Sequence, residues 1–147
     1  ILNIVNEVPG LRPHRTSLYT VIAEMYANAL EHGILGLSSS LKSTPGGFVS
    51  FYETKKQKLA ELTEGAIKIS IKHTFEGTGG VLKIRVKDTG TGFGYVEPEV
   101  SATPEQQELS KKYHGRGFQL MESICEKLVI HAPGNDVEVS FRWDKDE

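Results

Sequence analysis

Three segments of the chain alternate strictly between apolar and polar residues. Their apolar members are Ile67, Ile69 and Ile71; Leu82, Ile84 and Val86; and Val137, Val139, Phe141 and Trp143. A two-residue period predicts strands that bury one face and leave the other in water. An apolar run from Leu128 to Ala132 predicts a fourth strand, and Ile1 to Val8 predicts a fifth.

Short turn sequences connect these segments in pairs. Glu76 to Gly80 joins the first two, and Pro133-Gly134-Asn135-Asp136 joins the run at Leu128 to the last. Both connections are typical of hairpins and predict antiparallel pairs. Because each strand has one polar face, only the other can be covered, which argues against a doubly wound sheet. We therefore predict a two-layer α/β sandwich, with a mixed, mainly antiparallel sheet and helices on one face.

Three segments show helical periodicity and are available to cover the apolar face of this sheet. The first extends from about Ser17 to Gly33, the second from about Phe48 to Leu62, and the third begins near Gly115. Their apolar residues at helical spacing include Leu18, Val21, Ile22, Met25 and Ala29 in the first and Leu120, Met121, Ile124 and Leu128 in the third. Residues 94–115 predict a long loop with at most a short helix beginning at Thr103, and loops of this length are usually functional.

The overall composition is that of one globular domain of 147 residues, spanning 1–147. A net charge of -2 lacks the basic excess that nucleic-acid binding requires. The single cysteine cannot form an internal disulfide, and no apolar run approaches the roughly 20 residues of a membrane span. We expect a cytoplasmic protein that binds neither nucleic acid nor membrane. Because the sequence begins at Ile1 without a methionine, we expect a domain excised from a longer protein.

The first helix carries a polar flank beside its apolar stripe, formed by Glu24, Asn28, Glu31 and His32. The amide oxygen of Asn28 is a hard ligand suited to magnesium, and a nearby carboxylate could hydrogen-bond a hydroxyl group or a metal-bound water. The ordinary solvated face of an amphipathic helix would account for the same residues equally well.

The third predicted strand along the chain ends at Asp88 and leads into Thr89-Gly90-Thr91-Gly92-Phe93-Gly94. Alternating glycines allow the backbone to approach a planar or phosphorylated ligand, while the carboxylate fixes a donor such as an exocyclic amine. A simple tight turn is the alternative. Neither a P-loop nor a Rossmann motif fits, because no Gly-Lys-Ser/Thr ending is present and the glycines lead into a proline-containing loop.

A third candidate element, Gly115-Arg116-Gly117-Phe118, begins the last helix. Backbone donors at a helix N-terminus, the helix dipole and the Arg116 guanidinium together favour an anion. A hinge with an exposed arginine would have the same sequence.

The order of the three elements is more specific than any one of them. ExxxNA from Glu24 to Ala29, DxGxGF from Asp88 to Phe93 and GRGF from Gly115 to Phe118 strongly resemble the N, G1 and G2 boxes of one ATP-binding fold. That fold, the GHKL or Bergerat fold, is shared by DNA gyrase, histidine kinases and MutL. The resemblance spans about residues 17–128.

The resemblance implies a role for each matching residue in binding ATP and magnesium. Asn28 would coordinate the Mg²⁺ that bridges the phosphates, and Asp88 would hydrogen-bond the adenine amino group. Gly90 and Gly92, with Phe93 in the same box, would approach the base and sugar, residues 94–115 would form an ATP lid, and Gly115 and Gly117 would hold the phosphates. Glu24 would be the general base. The phosphate role of Arg116 depends on the physical argument alone.

Details of the first box favour one branch of this family. ExxxNAxxHG, matched by Glu24, Asn28, Ala29, His32 and Gly33, is similar to the helix of bacterial anti-sigma serine kinases. An insertion at about residues 34–62 is similar to the C-terminal kinase domain of regulators that fuse a receiver, a PP2C-type phosphatase and this module.

The implied activity is phosphorylation of a serine on an anti-anti-sigma (STAS) protein, or binding of a sigma factor, with room for a homodimer. Two alternatives stay open: the catalytic domain of a histidine kinase, and a non-catalytic module that binds a partner in a nucleotide-dependent way.

Overall fold

One four-stranded antiparallel sheet forms the centre of the fold. A computed structural model describes residues 2–37, 46–91 and 116–144, without the side chains of Leu2, Ile4 and Arg116. The strands are β1 (Ile67–Glu76), β2 (Gly79–Asp88), β3 (Lys127–His131) and β4 (Asp136–Asp144), in the spatial order β1-β2-β4-β3. Both predicted hairpins are present. The predicted sheet was mixed, whereas all pairings among the described strands are antiparallel.

The predicted fifth strand at Ile1 to Val8 is wrong, because this segment forms helix α1 (Leu2–Glu7). Val5 is buried in the core while Asn3 and Asn6 on either side are exposed. One inward residue per turn suits a helix, and a short apolar run does not distinguish the two periods. A 3₁₀ helix, Pro9–His14, follows and places Leu11 fully inside the core.

Helix α2 (Arg15–Asn28) continues without a break into a π-helical turn, Ala29–Ile34, so the first predicted helix is confirmed. Its buried residues are Leu18, Val21 and Met25. They fall three and four positions apart, as the helical period requires for a single buried stripe. The π turn is rare in proteins and is frequently found at functional sites.

Two predictions about the other helices need correction in part. Helix α3 (Gly47–Glu61) is confirmed in extent, but its buried Phe51 packs with Leu35 and Leu37 in a small separate cluster and does not cover the sheet. Helix α4 (Arg116–Ile124) is shorter than predicted. The chain already joins the sheet at Glu126, whose N–H donates to Ser140 O at 2.9 Å, and Leu128 therefore lies in β3.

The main core lies between the sheet and a helical layer on one of its faces. Val5, Leu18 and Met121 from the helices meet Ile84 and Val139 from the central strands. The other face is polar and solvated, as at Lys83, Arg85 and Lys87 on β2. The one-sided covering inferred from strand alternation is thus confirmed for the described residues. None of the described helices combines the length and apolar character needed to cross a membrane.

Candidate functional site

Glu24 and Asn28, one turn apart on α2, face the first turn of α4. A Cβ atom built on Gly117 would lie 2.5 Å from Glu24 Oε2 and 3.4 Å from Asn28 Nδ2. The contact is close because α2 packs against α4 and residue 117 has no side chain. The first and third sequence elements, which are nearly ninety positions apart, therefore meet in what we call the Glu24 cluster: Glu24, Asn28 and Gly117.

The Asn28 side chain is only partly satisfied in this cluster. Its Nδ2 atom is buried and has no hydrogen-bond partner among the described residues. A buried, unpaired donor costs free energy, on the order of 1–3 kcal/mol, and is uncommon in native proteins unless a ligand or water completes it. An acceptor bound beside Gly117, such as a phosphate oxygen, would remove this cost. The carboxylate and amide also present hard oxygen ligands of the kind that Mg²⁺ prefers.

The second group of site residues lies where β2 ends. Asp88 is 5% exposed, and its Oδ1 accepts a hydrogen bond of 2.7 Å from the N–H of Gly90. This is the local side-chain-to-backbone bond by which Asp shapes a turn. Burial raises the pKa of the Asp88 carboxyl above its ordinary value, and the Gly90 hydrogen bond lowers it by less. Asp88, Thr89 and Gly90 are called the Asp88 turn below.

Gly33 connects the Asp88 turn to the helix that carries the Glu24 cluster. A Cβ on Gly33 would collide with the Asp88 carboxyl group, and a Cβ on Gly90 would collide with the carbonyl oxygen of Gly33. The π turn and the Asp88 turn can approach this closely only because both positions are glycine. Gly33 thus leaves the space that the buried carboxylate occupies, which the HG sequence did not reveal by itself.

Asn135 is a further residue that the sequence did not identify as part of the site. Its Nδ2 donates to Asp88 O at 3.1 Å and to Gly90 O at 3.2 Å, and its carbonyl oxygen accepts from the Asp88 N–H at 2.9 Å. In the sequence it is only one residue of a hairpin turn. Its function as a brace depends on the β2–β4 register, for which the sequence carries no local signal.

An open cleft lies beside the Asp88 turn. Its volume is about 390 Å³, and it is lined by Ile34, Glu64, Gly65, Ala66, Thr89 and Gly90. Thr89 anchors its floor, because its N–H donates to Ala66 O at 3.1 Å and its Oγ1 accepts from the Ala66 N–H at 3.0 Å. A planar ligand in this cleft would lie next to the Gly90 backbone.

The predicted polar flank of α2 divides into two parts. Glu31 turns toward α3, where its Oε1 lies 3.0 Å from Lys55 Nζ, and His32 Nδ1 lies 2.5 Å from Leu37 O. The π turn that begins at Ala29 has more residues per turn than an α-helix, so the α-helical spacing that linked these residues to Glu24 and Asn28 does not continue through it. Glu31 and His32 therefore support the connection to α3.

Several predicted site residues lie outside the described part of the chain. They are Gly92, Phe93 and Gly115, together with the proposed lid at 94–115. Arg116 is described only as the first residue of α4, without its side chain.

Among the described residues, no three His, Cys, Asp or Glu side chains form a cluster that could hold a metal ion. The chemistry of the site is that of a buried carboxylate, a second carboxylate, an unpaired amide and glycine backbone. Comparison with protein-family models, with curated proteins and with solved structures gives no match for this chain.

Proposed function

We propose that this domain binds ATP with Mg²⁺ in a Bergerat-type fold and transfers phosphate to a serine of an anti-anti-sigma (STAS) protein in the cytoplasm. The observation that carries the proposal is the junction made by α2 and its π turn. Through Asn28 this segment contacts α4 at Gly117, and through Gly33 it contacts the buried Asp88. Three motifs that are dispersed along the sequence therefore border one region, as a shared nucleotide site requires.

The Asp88 turn is suited to the adenine end of the nucleotide. A buried carboxylate can accept a hydrogen bond from the exocyclic amine, and such a bond to a charged group is worth about 1.5–3 kcal/mol. The glycine backbone and the neighbouring cleft leave room for a flat base. The fit is specific to an amine donor, because Asp88 Oδ1 already accepts the Gly90 N–H and a carbonyl would meet a second acceptor there.

The Glu24 cluster is suited to the phosphate end. The unpaired Asn28 amide and the backbone N–H groups at the start of α4 could donate hydrogen bonds to an anion. The N-terminal end of the helix dipole adds a partial positive charge. The Asn28 amide oxygen is the proposed magnesium ligand. When bound with the nucleotide, Mg²⁺ would neutralise part of the negative charge of the phosphates.

Glu24 is the proposed base for the acceptor serine. Its Oε2 lies at the Gly117 backbone, next to the place proposed for the phosphates, and could orient a hydroxyl group and accept its proton. In phosphoryl transfer the protein mainly positions the reacting groups and neutralises the phosphate charge. A positioned base raises the rate by about 10²- to 10⁴-fold. The ExxxNAxxHG pattern supports a serine as acceptor, with a STAS protein or a sigma factor as partner.

The proposal is tested with Glu24→Gln. We expect ATP affinity measured by calorimetry to change little, while phosphate transfer from γ-labelled ATP to candidate STAS proteins falls by roughly 10²- to 10⁴-fold. Glu53→Gln, on the exposed side of α3, is the matched control and should transfer at the wild-type rate.

Other results would favour a different function. Undiminished transfer by Glu24→Gln would remove Glu24 from the mechanism. Tight ATP binding with a stable partner complex but without transfer would indicate a non-catalytic module. No binding of ATP by the wild-type domain would reject the proposal as a whole.

A further inference from the structure

The solvated face of the sheet carries a group of lysines in a regular arrangement. Lys68 lies directly opposite Lys87 across the β1–β2 pair, and Lys72 lies directly opposite Lys83. All four are exposed and alternate with the inward apolar residues of their strands. Like charges at directly opposed positions of a sheet are destabilising. The fold therefore carries two unfavourable pairs on one surface, which we call the lysine face.

Three acidic residues on the same side of the sheet, Asp136, Glu76 and Glu126, are paired with arginines, and a fourth, Glu138, lies opposite Arg85 in the β2–β4 register. Asp136 accepts both Arg85 Nε at 2.8 Å and Arg85 Nη2 at 2.5 Å. Glu76 and Glu126 lie 2.7 Å and 3.1 Å from the two donors of Arg142. These three carboxylates form their salt bridges with guanidinium groups and not with the lysines of β1 and β2.

The lysines of this face form few ion pairs with the described residues around them. No salt bridge within the described residues involves Lys68, Lys72 or Lys83. Lys87 lies directly opposite Asp136 across the β2–β4 pair, and its charge is one of the smaller causes that lower the pKa of that carboxyl. A net positive surface therefore remains along β1 and β2.

A hollow adjoins this surface, and its lining carries charges of both signs: Lys83, Lys127 and Arg142 together with Glu76, Glu126 and Glu138. Its volume is about 570 Å³, and its lining includes Lys83, Ser140 and Lys127. These three residues lie in one row, since Ser140 is the register partner of Lys83 on one side and of Lys127 on the other. The small, buried Ser140 keeps the row open between the two ammonium groups.

We propose that the lysine face docks a short, extended acidic segment of a partner protein. Lys68 and Lys72 are four residues apart on β1, about 13 Å at roughly 3.3 Å per residue. An extended segment with carboxylates at positions i and i+4 has the same spacing and would place one acid at each opposed lysine pair. Binding there relieves the lysine–lysine repulsion as well as forming new ion pairs.

The dimensions of the face favour a protein segment over a nucleic acid or a membrane. A long polyanion would extend beyond the lysines onto Asp136, Glu138 and Glu76, and the whole chain has a net charge of -2. The face is on the side of the sheet opposite the helical layer and includes no residue of the Glu24 cluster. The inference is therefore independent of the proposed nucleotide site.

The test measures fluorescence anisotropy of a labelled ten-residue peptide of alternating Glu and Ser with the whole chain at low ionic strength. Lys72→Gln/Lys83→Gln should weaken binding about fivefold or more, because exposed ion pairs contribute a few tenths to 1 kcal/mol each. Arg15→Gln/Lys56→Gln removes the same charge from exposed positions on α2 and α3, and should change binding less than twofold. Added salt should weaken the wild-type complex.

Four results would overturn the proposal. They are no binding of the peptide, equal loss in the two double variants, equal binding of a Gln/Ser peptide, and tighter binding of duplex DNA or of phosphatidylserine vesicles that the lysine substitutions abolish. Circular dichroism checks that each variant is folded. Should Lys72→Gln/Lys83→Gln fail to fold, Lys68→Gln/Lys87→Gln supplies the same test at the other opposed pair.

Discussion

Gly117 is the residue at which the backbone of α4 lies closest to the carboxylate of Glu24. In Gly117→Ala the new Cβ would meet Glu24 Oε2 at 2.5 Å, and Asn28 Nδ2 at 3.4 Å. The Glu24 carboxylate is the far end of a flexible side chain and can move, so we expect the fold to persist, with a change in unfolding free energy below about 1 kcal/mol. Displacement of the proposed base should lower phosphate transfer about tenfold or more.

This prediction is checked by transfer assays and thermal melts on the same preparations. Gln119→Ala, an exposed change on the same helix, is the control and should affect neither quantity. Transfer at the wild-type rate by Gly117→Ala would show that Glu24 does not need its present position.

Asp88→Asn distinguishes two effects of the buried carboxylate: its cost to the stability of the fold and its proposed contact with adenine. Because burial raises the Asp88 pKa above that of the unfolded chain, ionisation at neutral pH disfavours the folded state. The wild-type protein has its full stability below the unfolded pKa and loses part of it as the pH rises through the folded pKa. We therefore expect Asp88→Asn to melt at an equal or higher temperature at neutral pH, with the advantage shrinking at acidic pH.

The same variant tests the adenine assignment by calorimetry. Loss of a hydrogen bond to a charged group should weaken ATP binding roughly ten- to a hundredfold. The preference for ATP over GTP should fall in parallel. A variant that binds ATP as tightly as the wild type would contradict the proposed contact of Asp88 with adenine, and one that melts lower at neutral pH would contradict the stability cost of the buried carboxylate.

The sequence could supply the residue types of the site but only part of their arrangement. Glu24, Asn28 and Asp88 stand out because polar groups at helical spacing and a carboxylate before glycines have a recognisable chemistry. Asn135 does not, since its bonds to the Asp88 turn exist only after β2 and β4 pair. The collision that makes Gly33 necessary is likewise a tertiary contact.

The β1–β2 hairpin carries the clearest energetic conflict of any described element. Lys72→Glu would convert one opposed lysine pair into an opposite-charge pair with Lys83. Cross-strand pairs of this kind contribute roughly 0.2–1 kcal/mol, so the free energy of unfolding in denaturant should rise by about that amount at low salt. The gain should shrink as salt is added.

Lys127→Glu is the control for Lys72→Glu because Lys127 lies on the same side of the sheet opposite Ser140, with no lysine across from it. It should bring no comparable gain. Equal stabilisation by both variants would mean that overall charge, and not the opposed pair, limits stability. Destabilisation by Lys72→Glu alone would show that Lys72 has a favourable native contact.

Among the helices and strands, hydrophobic periodicity predicted the element type correctly wherever the pattern continued over several repeats. Ten-residue strands β1 and β2 and the fourteen-residue α2 were visible because each repeats its period several times. The α1 segment is only six residues long, too short for its period to identify a helix. The end of α4 was missed because Leu128 continues a helical spacing that the Glu126–Ser140 hydrogen bond interrupts.

The described residues form two hydrophobic clusters of unequal size. The large one joins the helical layer to the sheet, and the small one joins α3 to the chain after the π turn through Phe51, Leu35 and Leu37. Strand alternation correctly predicted that the described helices cover only one face of the sheet. It could not predict that α3 would pack elsewhere, because amphipathicity defines an apolar stripe and not the surface that receives it.

Polar contacts reinforce the attachment of α3. Lys55 Nζ lies 3.0 Å from Oε1 of the buried Glu31, and Lys58 Nζ donates to Leu35 O at 3.0 Å. Both acceptors belong to the segment that begins with the π turn and includes Gly33. The helix is thus connected through a few residues to the backbone that packs against Asp88.

Phe51→Ala should therefore destabilise α3 locally and also weaken ATP binding at the proposed nucleotide site. Phe51 is fully buried, and replacing a buried Phe with Ala lowers the free energy of unfolding by about 3–5 kcal/mol. The small cluster has only three buried residues among those described, so we expect this loss to unfold α3 locally. We expect hydrogen exchange of 47–61 to accelerate sharply while β2 and β4 stay protected, since separate cooperative units open independently. ATP affinity should fall as well, because the π turn loses its support beside Gly33 and Asp88.

Tyr52→Ala is the control for Phe51→Ala, because it removes a ring that is 52% exposed on the next position of the same helix. It should leave both hydrogen exchange and ATP binding close to wild type. Uniform loss of protection across the sheet in Phe51→Ala would mean that the two clusters unfold as one unit. Fast exchange of α3 with unchanged ATP affinity would instead separate α3 from the nucleotide site, and the role of the 34–62 insertion would then lie in contacts with a partner.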